Sequence, residues 1–262
     1  MSAFPTNMTR RRFAQLIAAG GASVACAGVL SACGGNSEPA AGFDPFVSWG
    51  CGEHVHEPLI QSTLITTDVN LEFVNDLATE YYCADDGMTW YFTIRDDAKF
   101  TDGEPLSASD VAFTINGIIE SEAAEADLSM VEKAVATDDT HVEITMTKPY
   151  NALLYTLAVV GIVPGHAHGE DYGANPIGSG RYMLEQWDRG QQVILKANPD
   201  YYGEAPKMER VVVVFMEEDA ALAAVRAGQV DIAYTSATYS DQTSEGYELF
   251  ACETVDSRGI SL

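Results

Sequence analysis

Residues 86–111 constrain the fold more than any other stretch of this chain. After an Asp-Gly turn dipeptide, three apolar side chains alternate with their neighbours: Trp90, Phe92 and Ile94. A period of two built from aromatic and β-branched residues predicts a half-buried strand. A second Asp-Gly turn follows, and Ser107 three positions before Asp110 is typical of a capping box, which predicts a helix to about residue 119. The stretch therefore predicts strand, turn, cap and helix, without a catalytic dyad.

The first 32 residues have the composition of an export signal. Consecutive arginines at positions 10–12 precede an apolar run over residues 16–30, and the first acidic residue is Glu38. The run is too short and too rich in Ala and Gly for a membrane span, and it suits the apolar region of a signal peptide. The order Thr-Arg-Arg-Arg-Phe resembles a twin-arginine signal, with a Sec signal as the alternative.

A lipidation motif ends this segment. The sequence Leu-Ser-Ala-Cys, ending at Cys33, resembles a bacterial lipobox, in which cleavage leaves the cysteine as a lipid-carrying N-terminus. Residues 33–42 are rich in Gly, Ala, Ser and Pro and read as a flexible tether. A lipid followed by a tether would hold the protein at a membrane and still let it reach a partner.

The charge balance excludes nucleic acid as a main partner. Three of the 14 basic residues and none of the 39 acidic ones lie in the signal, so the mature part has 11 bases against 39 acids, a net charge of −28. Such a surface repels phosphate backbones. The 230 residues after the signal suffice for one large or two small domains. Besides Cys33, this part contains Cys51, Cys83 and Cys252, so at least one thiol lacks a partner within the chain; a disulfide between Cys51 and Cys83 is conceivable.

Apolar spacing predicts the remaining elements. Strands are predicted at residues 43–49, 140–147, 193–195 and 231–233, and a strand buried on both faces at 211–215. Helices are predicted in the later part of 53–64, at 120–136 as one helix or a pair, at 152–160, and from Glu218 or Asp219 through Ala227.

Three ordered motifs carry a family resemblance. They are Trp-x-Phe-x-Ile-Arg with Lys-Phe-x-Asp-Gly-x-Pro-Leu-x-Ala-x-Asp-Val at 90–111, Pro-x-Gly-Ser-Gly-Arg-Tyr with Asn-Pro-x-Tyr-Tyr at 176–202, and Ala-x-x-Ala-Val-x-x-Gly-x-Val-Asp-Ile at 221–232. In this order they resemble the solute-binding proteins of peptide- and nickel-type ABC importers, extracellular solute-binding protein family 5. The family has Thr and Pro where this chain has Ser179 and Arg181. The neighbouring glycines suggest a tight turn.

The resemblance implies an α/β fold with α+β elements. Residues 43–262 would form a periplasmic-binding-protein-like lobe of type II, with an inserted subdomain at about 63–172. Family members are usually longer and close a second lobe on the solute. That second lobe is expected to be missing here, which predicts an open sheet edge or exposed apolar surface near residues 211–215 and 254–262.

The resemblance also implies a function outside the cytoplasm. A lipid-anchored receptor, periplasmic or at the cell surface, would capture solute at the outer face of the cytoplasmic membrane and deliver it to an ABC permease. Oligopeptides are the leading solute class, and a nickel chelate is the alternative. A non-transporting lobe, either an interaction module or inert, is an alternative of another class. No nucleophile elbow or zinc-protease motif occurs, so neither enzymatic activity nor a cofactor is expected.

The candidate solute contacts lie in two places. The resemblance places Trp49, Cys51 and His54 at the mouth of a cleft, and Gly161 follows in a loop after Val160. His54 and His56 form an H-x-H pair, and imidazole binds nickel, copper and zinc, but the pattern is more typical of two polar residues at a turn. No metal site is therefore predicted.

Overall fold

The computed structural model describes residues 42–47, 57–68, 70–233 and 248–249, all within one compact unit, Gly34–Leu262. The predicted signal over residues 1–32, Cys33 and the tether up to residue 41 lie outside the described residues. In the described ranges, no helix is both long and apolar enough to cross a membrane.

Short helices and antiparallel sheets alternate along the described chain. The elements are α1 (Glu57–Ile60), β1 (Ile65–Thr67), β2 (Phe73–Asn75), β3 (Ala78–Cys83), β4 (Thr89–Ile94), α2 (Ala108–Glu120), β5 (Val131–Ala136), β6 (His141–Met146), α3 (Leu153–Leu157), a 3-10 turn (Tyr172–Ala174), β7 (Tyr182–Asp188), β8 (Gln192–Ala197), β9 (Arg210–Val214) and α4 (Glu218–Arg226). Their sheets have the strand orders β1-β2, β3-β4-β6-β5 and β7-β8-β9.

The predicted strand and helix of residues 86–111 build the larger of two cores. In β4, Trp90, Phe92 and Ile94 are buried, and the positions between them are half-buried. Helix α2 buries Val111, Ile115 and Ile118 in the same core, at the spacing of one helical face. β6, also as predicted, pairs with β4 and buries its alternate residues: Val142, Ile144 and Met146. These elements are confirmed.

The turn and the cap between them are also confirmed. Gly103 has φ +96°, a backbone conformation that favours glycine, and its N–H donates to the carbonyl of Phe100 at 2.9 Å. The N–H and Oγ of Ser107 both donate to Asp110 Oδ2, at 3.0 Å each. Helix α2 therefore begins at Ala108, directly after the predicted cap.

The three-stranded sheet corrects one prediction and supports another. Its central strand, β8, buries the predicted residues 193–195. β9 pairs with β8 and, among the described residues, with no other strand. Val212 is 45% exposed, so the prediction that residues 211–215 are buried on both faces is wrong. The expected exposed apolar surface is confirmed at this edge, whereas residues 254–262 lie outside the described residues.

Three further predictions differ from the structure. Residues 43–47 form a turn, because the Asp44 carboxylate accepts the Phe46 N–H at 2.9 Å. Residues 120–136 do not continue as a helix: α2 ends and β5 begins at Val131, where it pairs with β6. Residues 231–233 are not a strand, and Ile232 is 82% exposed. The helices α1, α3 and α4 confirm the other predicted helices with shorter bounds.

Candidate functional site

Gly161, a predicted solute contact, packs against a buried polar segment. The segment consists of residues 59–63, which we call the wall segment; it begins in the last two residues of α1 and ends shortly before β1. The N–H of Ile162 donates to the carbonyl of Ser62 at 2.9 Å. A Cβ added at Gly161 would lie 2.6 Å from Gln61 Cβ, closer than real side chains approach. Gly161 is itself buried, so its position explains close packing, and its contact with solute stays a prediction.

The glycines of the Gly-Ser-Gly motif pack against the other side of the wall segment. Gly180 donates its N–H to the carbonyl of Ile60 at 2.8 Å, and a Cβ at Gly178 or Gly180 would overlap that same carbonyl. Neither glycine has a positive φ. The expected tight turn is therefore wrong as the reason for these glycines, which are needed for backbone approach. Asn198 of the Asn-Pro sequence donates to the Gly180 carbonyl at 2.9 Å, so the two halves of the second family motif contact each other.

Gln61 is the polar centre of the wall segment. Its side chain is buried, and Nε2 donates to the Phe43 carbonyl at 2.7 Å and to the Tyr172 hydroxyl at 3.2 Å. The Tyr172 hydroxyl in turn donates to the Ile177 carbonyl at 2.8 Å. Burial raises the pKa of Tyr172, so the phenol keeps the proton that this bond needs.

A second polar group fixes the end of the wall segment. The Tyr202 hydroxyl donates to Asp76 Oδ1 at 2.5 Å and lies 2.8 Å from Ser62 Oγ. The other carboxylate oxygen of Asp76 accepts the Thr63 N–H at 3.1 Å. Burial and the neighbouring Asp76 carboxylate raise the pKa of Tyr202. Hydrogen bonds of this kind to a carboxylate are stronger than those between neutral groups.

The other predicted site residues lie outside the described residues. These are Trp49, Cys51, His54 and His56, and the lipidation residue Cys33. In the described part of the chain no group of three or more His, Cys, Asp and Glu side chains could hold a metal ion. Cys83 carries a free thiol, whose pKa is raised by burial.

The two histidines after Gly165 are separately paired. His166 Nε2 lies 2.8 Å from Asp102 Oδ2, and His168 Nε2 lies 3.1 Å from both carboxylate oxygens of Asp44. The His168 ring also packs against the Phe46 ring at a tilt of 37°, with 4.1 Å between ring centroids. These contacts hold loops against the core, so the His-x-His pattern here is structural.

A shallow cavity lies beside β7. Its volume is about 460 Å³, and its lining includes Asn175, Trp187 and Arg189. The Arg189 guanidinium lies 4.0 Å from the centre of the Trp187 ring. The indole N–H has no hydrogen-bond partner but is closed to solvent, so a ligand in the cavity could not reach it.

Sequence reasoning missed the polar groups that fix the wall segment. Tyr202 belongs to a recognised motif, but its partners Ser62 and Asp76 are 140 and 126 residues away. Gln61 and Tyr172 are 111 residues apart. Neither composition nor local spacing signals such pairs.

Solved structures define the class of this fold. NikZ from Campylobacter jejuni, in complex with Ni(L-His), matches with a TM-score of 0.68 and 28% identity, over 74% of this chain and 41% of that one. The oligopeptide-binding protein AppA from Bacillus subtilis, in complex with a nonapeptide, matches with a TM-score of 0.64 and 27% identity, over 73% and 42%. The described fold is that of a lobe of a type II periplasmic binding protein.

The sequence specifies the family within this class. Residues 72–251 match the model for bacterial extracellular solute-binding proteins, family 5, and the chain belongs to this family. The probable D,D-dipeptide-binding periplasmic protein DdpA of Escherichia coli K12 is 33% identical over 180 residues, which is 64% of this chain and 34% of that protein. The matched part of the chain thus spans 34–42% of the length of these relatives.

Proposed function

We propose that this protein is the solute receptor of an ABC importer of the peptide and nickel type. It captures solute outside the cytoplasmic membrane, stays there through a lipid on Cys33, and delivers the solute to the permease. The observation that carries this proposal is the family match over residues 72–251, together with the fold of a binding-protein lobe. The relatives and solved structures described above are binding proteins, which favours a receptor over an enzyme.

Oligopeptides are the favoured solute class. DdpA and AppA are named as dipeptide and oligopeptide binders. An extended peptide can be held through its backbone, with water filling roomy side-chain pockets, so binding need not depend on peptide sequence. Trp49, Cys51, His54 and Gly161 are the proposed contacts on this lobe.

A nickel chelate is the second candidate. The structure of NikZ was solved with Ni(L-His). NikZ is 28% identical to this chain and the peptide binder AppA is 27% identical, so sequence identity does not favour either solute. His54 and His56 are the residues that would contact such a chelate, because imidazole nitrogens bind Ni²⁺ readily.

Native mass spectrometry with metal analysis, on protein exported from its source, tests these candidates together. It reports chain length, lipid, bound solute and metal in one measurement. A peptide or a nickel chelate in the complex identifies the solute. Protein that carries neither, and shows no thermal stabilisation with a mixed-sequence nonapeptide or with Ni²⁺ and L-histidine, would contradict the receptor proposal. A solute at one hundred times its Kd should stabilise the fold by about 2.7 kcal/mol.

Replacing Trp49 by Ala tests the proposed contacts. Loss of an aromatic anchor should weaken solute binding at least tenfold, which corresponds to about 1.4 kcal/mol. Tyr82→Ala is the matched control, because Tyr82 lies 62% exposed on β3. Unchanged affinity in both variants would remove Trp49 from the site.

A further inference from the structure

We propose that the Tyr202 hydroxyl is a positioning group for the solute site. It holds the wall segment against Gly161 without contacting solute. This inference rests on the proposed function for its binding consequence, and on the contacts of Tyr202, Ser62 and Asp76 for its structural part.

The wall segment crosses between two separate apolar cores. Ile60 belongs to the smaller core, with Phe43, Tyr182, Val193 and Leu195. Leu64 belongs to the larger core around Phe92. The three residues between these anchors, Gln61, Ser62 and Thr63, are polar and 2–4% exposed. Hydrogen bonds rather than apolar packing therefore set their position, and an unmade bond there is costly because water cannot replace it.

Tyr202 supplies the bonds that the end of this polar stretch requires. Its hydroxyl is within hydrogen-bond distance of both Ser62 Oγ and Asp76 Oδ1, and Asp76 also accepts the N–H of Thr63. Asp76 lies between β2 and β3, where the N–H of Leu77 donates to the Thr63 carbonyl at 3.1 Å. The phenol thus joins the wall segment to the four-stranded sheet.

The Tyr202 ring is held in place so that its hydroxyl keeps this direction. The Arg95 guanidinium lies 4.0 Å from the ring centre, and the Tyr201 ring lies 4.5 Å away. Arg95 is itself fixed by Asp97, with two N–H to carboxylate bonds of 2.5 and 3.0 Å. A tyrosine with both its ring and its hydroxyl fixed loses little further freedom when it bonds a partner.

The same contacts lead directly to the predicted solute contact. The carbonyl of Ser62 accepts the N–H of Ile162, the residue after Gly161. If Ser62 loses its side-chain partner, the chain segment that contains Gly161 loses its fixed neighbour as well. We therefore expect Tyr202 to control both the order of Gly161 and the affinity for solute.

Tyr202→Phe tests this by removing only the hydroxyl, on the exported full chain. Tyr201→Phe is the matched control, because the Tyr201 hydroxyl contacts Arg181 at 3.3 Å and does not reach the wall segment. Without solute, hydrogen exchange of the Ile162 amide should become about tenfold faster in Tyr202→Phe and stay unchanged in the control. An unchanged rate in both variants would overturn the inference, whatever the solute.

Affinity measurements on the same variants distinguish a positioning role of Tyr202 from a general loss of stability. The nonapeptide and Ni²⁺ with L-histidine serve as probes, and the one that wild type binds should lose about tenfold affinity in Tyr202→Phe. Ser62→Ala should cause a smaller loss, because it leaves the Tyr202 bond to Asp76 in place. The double variant should lose little more affinity than Tyr202→Phe, because the Ser62–Tyr202 interaction is already absent there. Full additivity would overturn the inference. If wild type binds neither probe, the receptor proposal fails, while the exchange measurement still decides whether Tyr202 positions the segment.

Discussion

Gly178 and Gly169 provide a test of the wall packing in which the two variants should change stability in opposite directions. A Cβ at Gly178 would overlap the Ile60 carbonyl, and a backbone atom cannot move aside as the end of a side chain can. A Cβ at Gly169 would meet nothing within 4 Å, and its φ is not positive. Both changes add the same methyl group and reduce the freedom of the unfolded chain equally.

The expected magnitudes follow from these surroundings. Forcing a methyl into a packed region costs about 1–3 kcal/mol. Moving Gly178 also disturbs the 2.9 Å bond from the Thr101 N–H to its carbonyl, and the neighbouring Gly180 bond to Ile60, each worth about 1 kcal/mol. Gly178→Ala should therefore destabilise the fold by about 2–4 kcal/mol. Gly169→Ala should stabilise it by about 0.4–1 kcal/mol, because its unfolded state loses entropy without strain in the folded state.

Urea unfolding followed by circular dichroism measures both variants. With m values of about 1–3 kcal/mol/M, the midpoint of Gly178→Ala should fall by about 0.7 M or more at unchanged m. The midpoint of Gly169→Ala should rise slightly. A Gly178→Ala variant as stable as wild type would refute the conclusion that the Gly-Ser-Gly motif exists for backbone approach.

Three further outcomes are expected. Phe92→Ala should cost about 3–5 kcal/mol in urea unfolding, because the ring is 1% exposed. Tyr82→Ala removes an exposed ring that stacks on Tyr91 and should cost no more than about 1 kcal/mol; equal effects of the two variants would contradict the assigned strand faces. NMR titration should give His166 a pKa above 6.5 that falls in Asp102→Asn, since the Asp102 carboxylate stabilises the imidazolium. The His166–Asp102 pair stabilises the fold fully below the unfolded pKa of about 6.5, and this stabilisation is lost as pH rises through the higher pKa of the folded state. An unshifted His166 pKa would show that the pair does not form. Ser107→Ala should lower stability by about 1 kcal/mol, because the side-chain cap of helix α2 is lost. Unchanged stability would show that the Ser107 hydroxyl does not contribute to the cap.

Regular strands were predictable from the sequence, and irregular ones were not. β4, β6 and β8 alternate or run apolar without interruption, and their pairing with one another and with β9 shows no register shift. Five strands were missed by periodicity. β1 and β2 are only three residues long. β3, β5 and β7 each contain an extra residue relative to the partner strand, at Ala78/Glu80, Val131/Lys133 and Leu184/Gln186. An extra residue in a strand moves later side chains to the other face, so a period of two disappears although the strand continues.

Residues of the candidate site were predictable only where they belong to a recognised sequence motif or follow from the family resemblance. Gly178 and Gly180 were recognised as positions that need glycine, and Gly161 was predicted only as a solute contact. The packing of all three against residues 59–63 joins chain segments that are about 100 residues apart. The roles of Gln61 and Tyr202 depend on partners more than 100 residues away, and local propensity carries no information about them. The predicted contacts Trp49, Cys51 and His54 stay predictions.

The polar wall segment has a consequence for how the lobe unfolds. The described residues contribute 27 buried side chains to the larger core and five to the smaller one, which contains β8. With so little apolar surface of its own, the β7-β8-β9 sheet should form a separate cooperative unit with the lowest opening free energy. Its opening would release Ile60 first, and residues 61–63 would then mark the boundary at which local unfolding stops or spreads to the whole lobe.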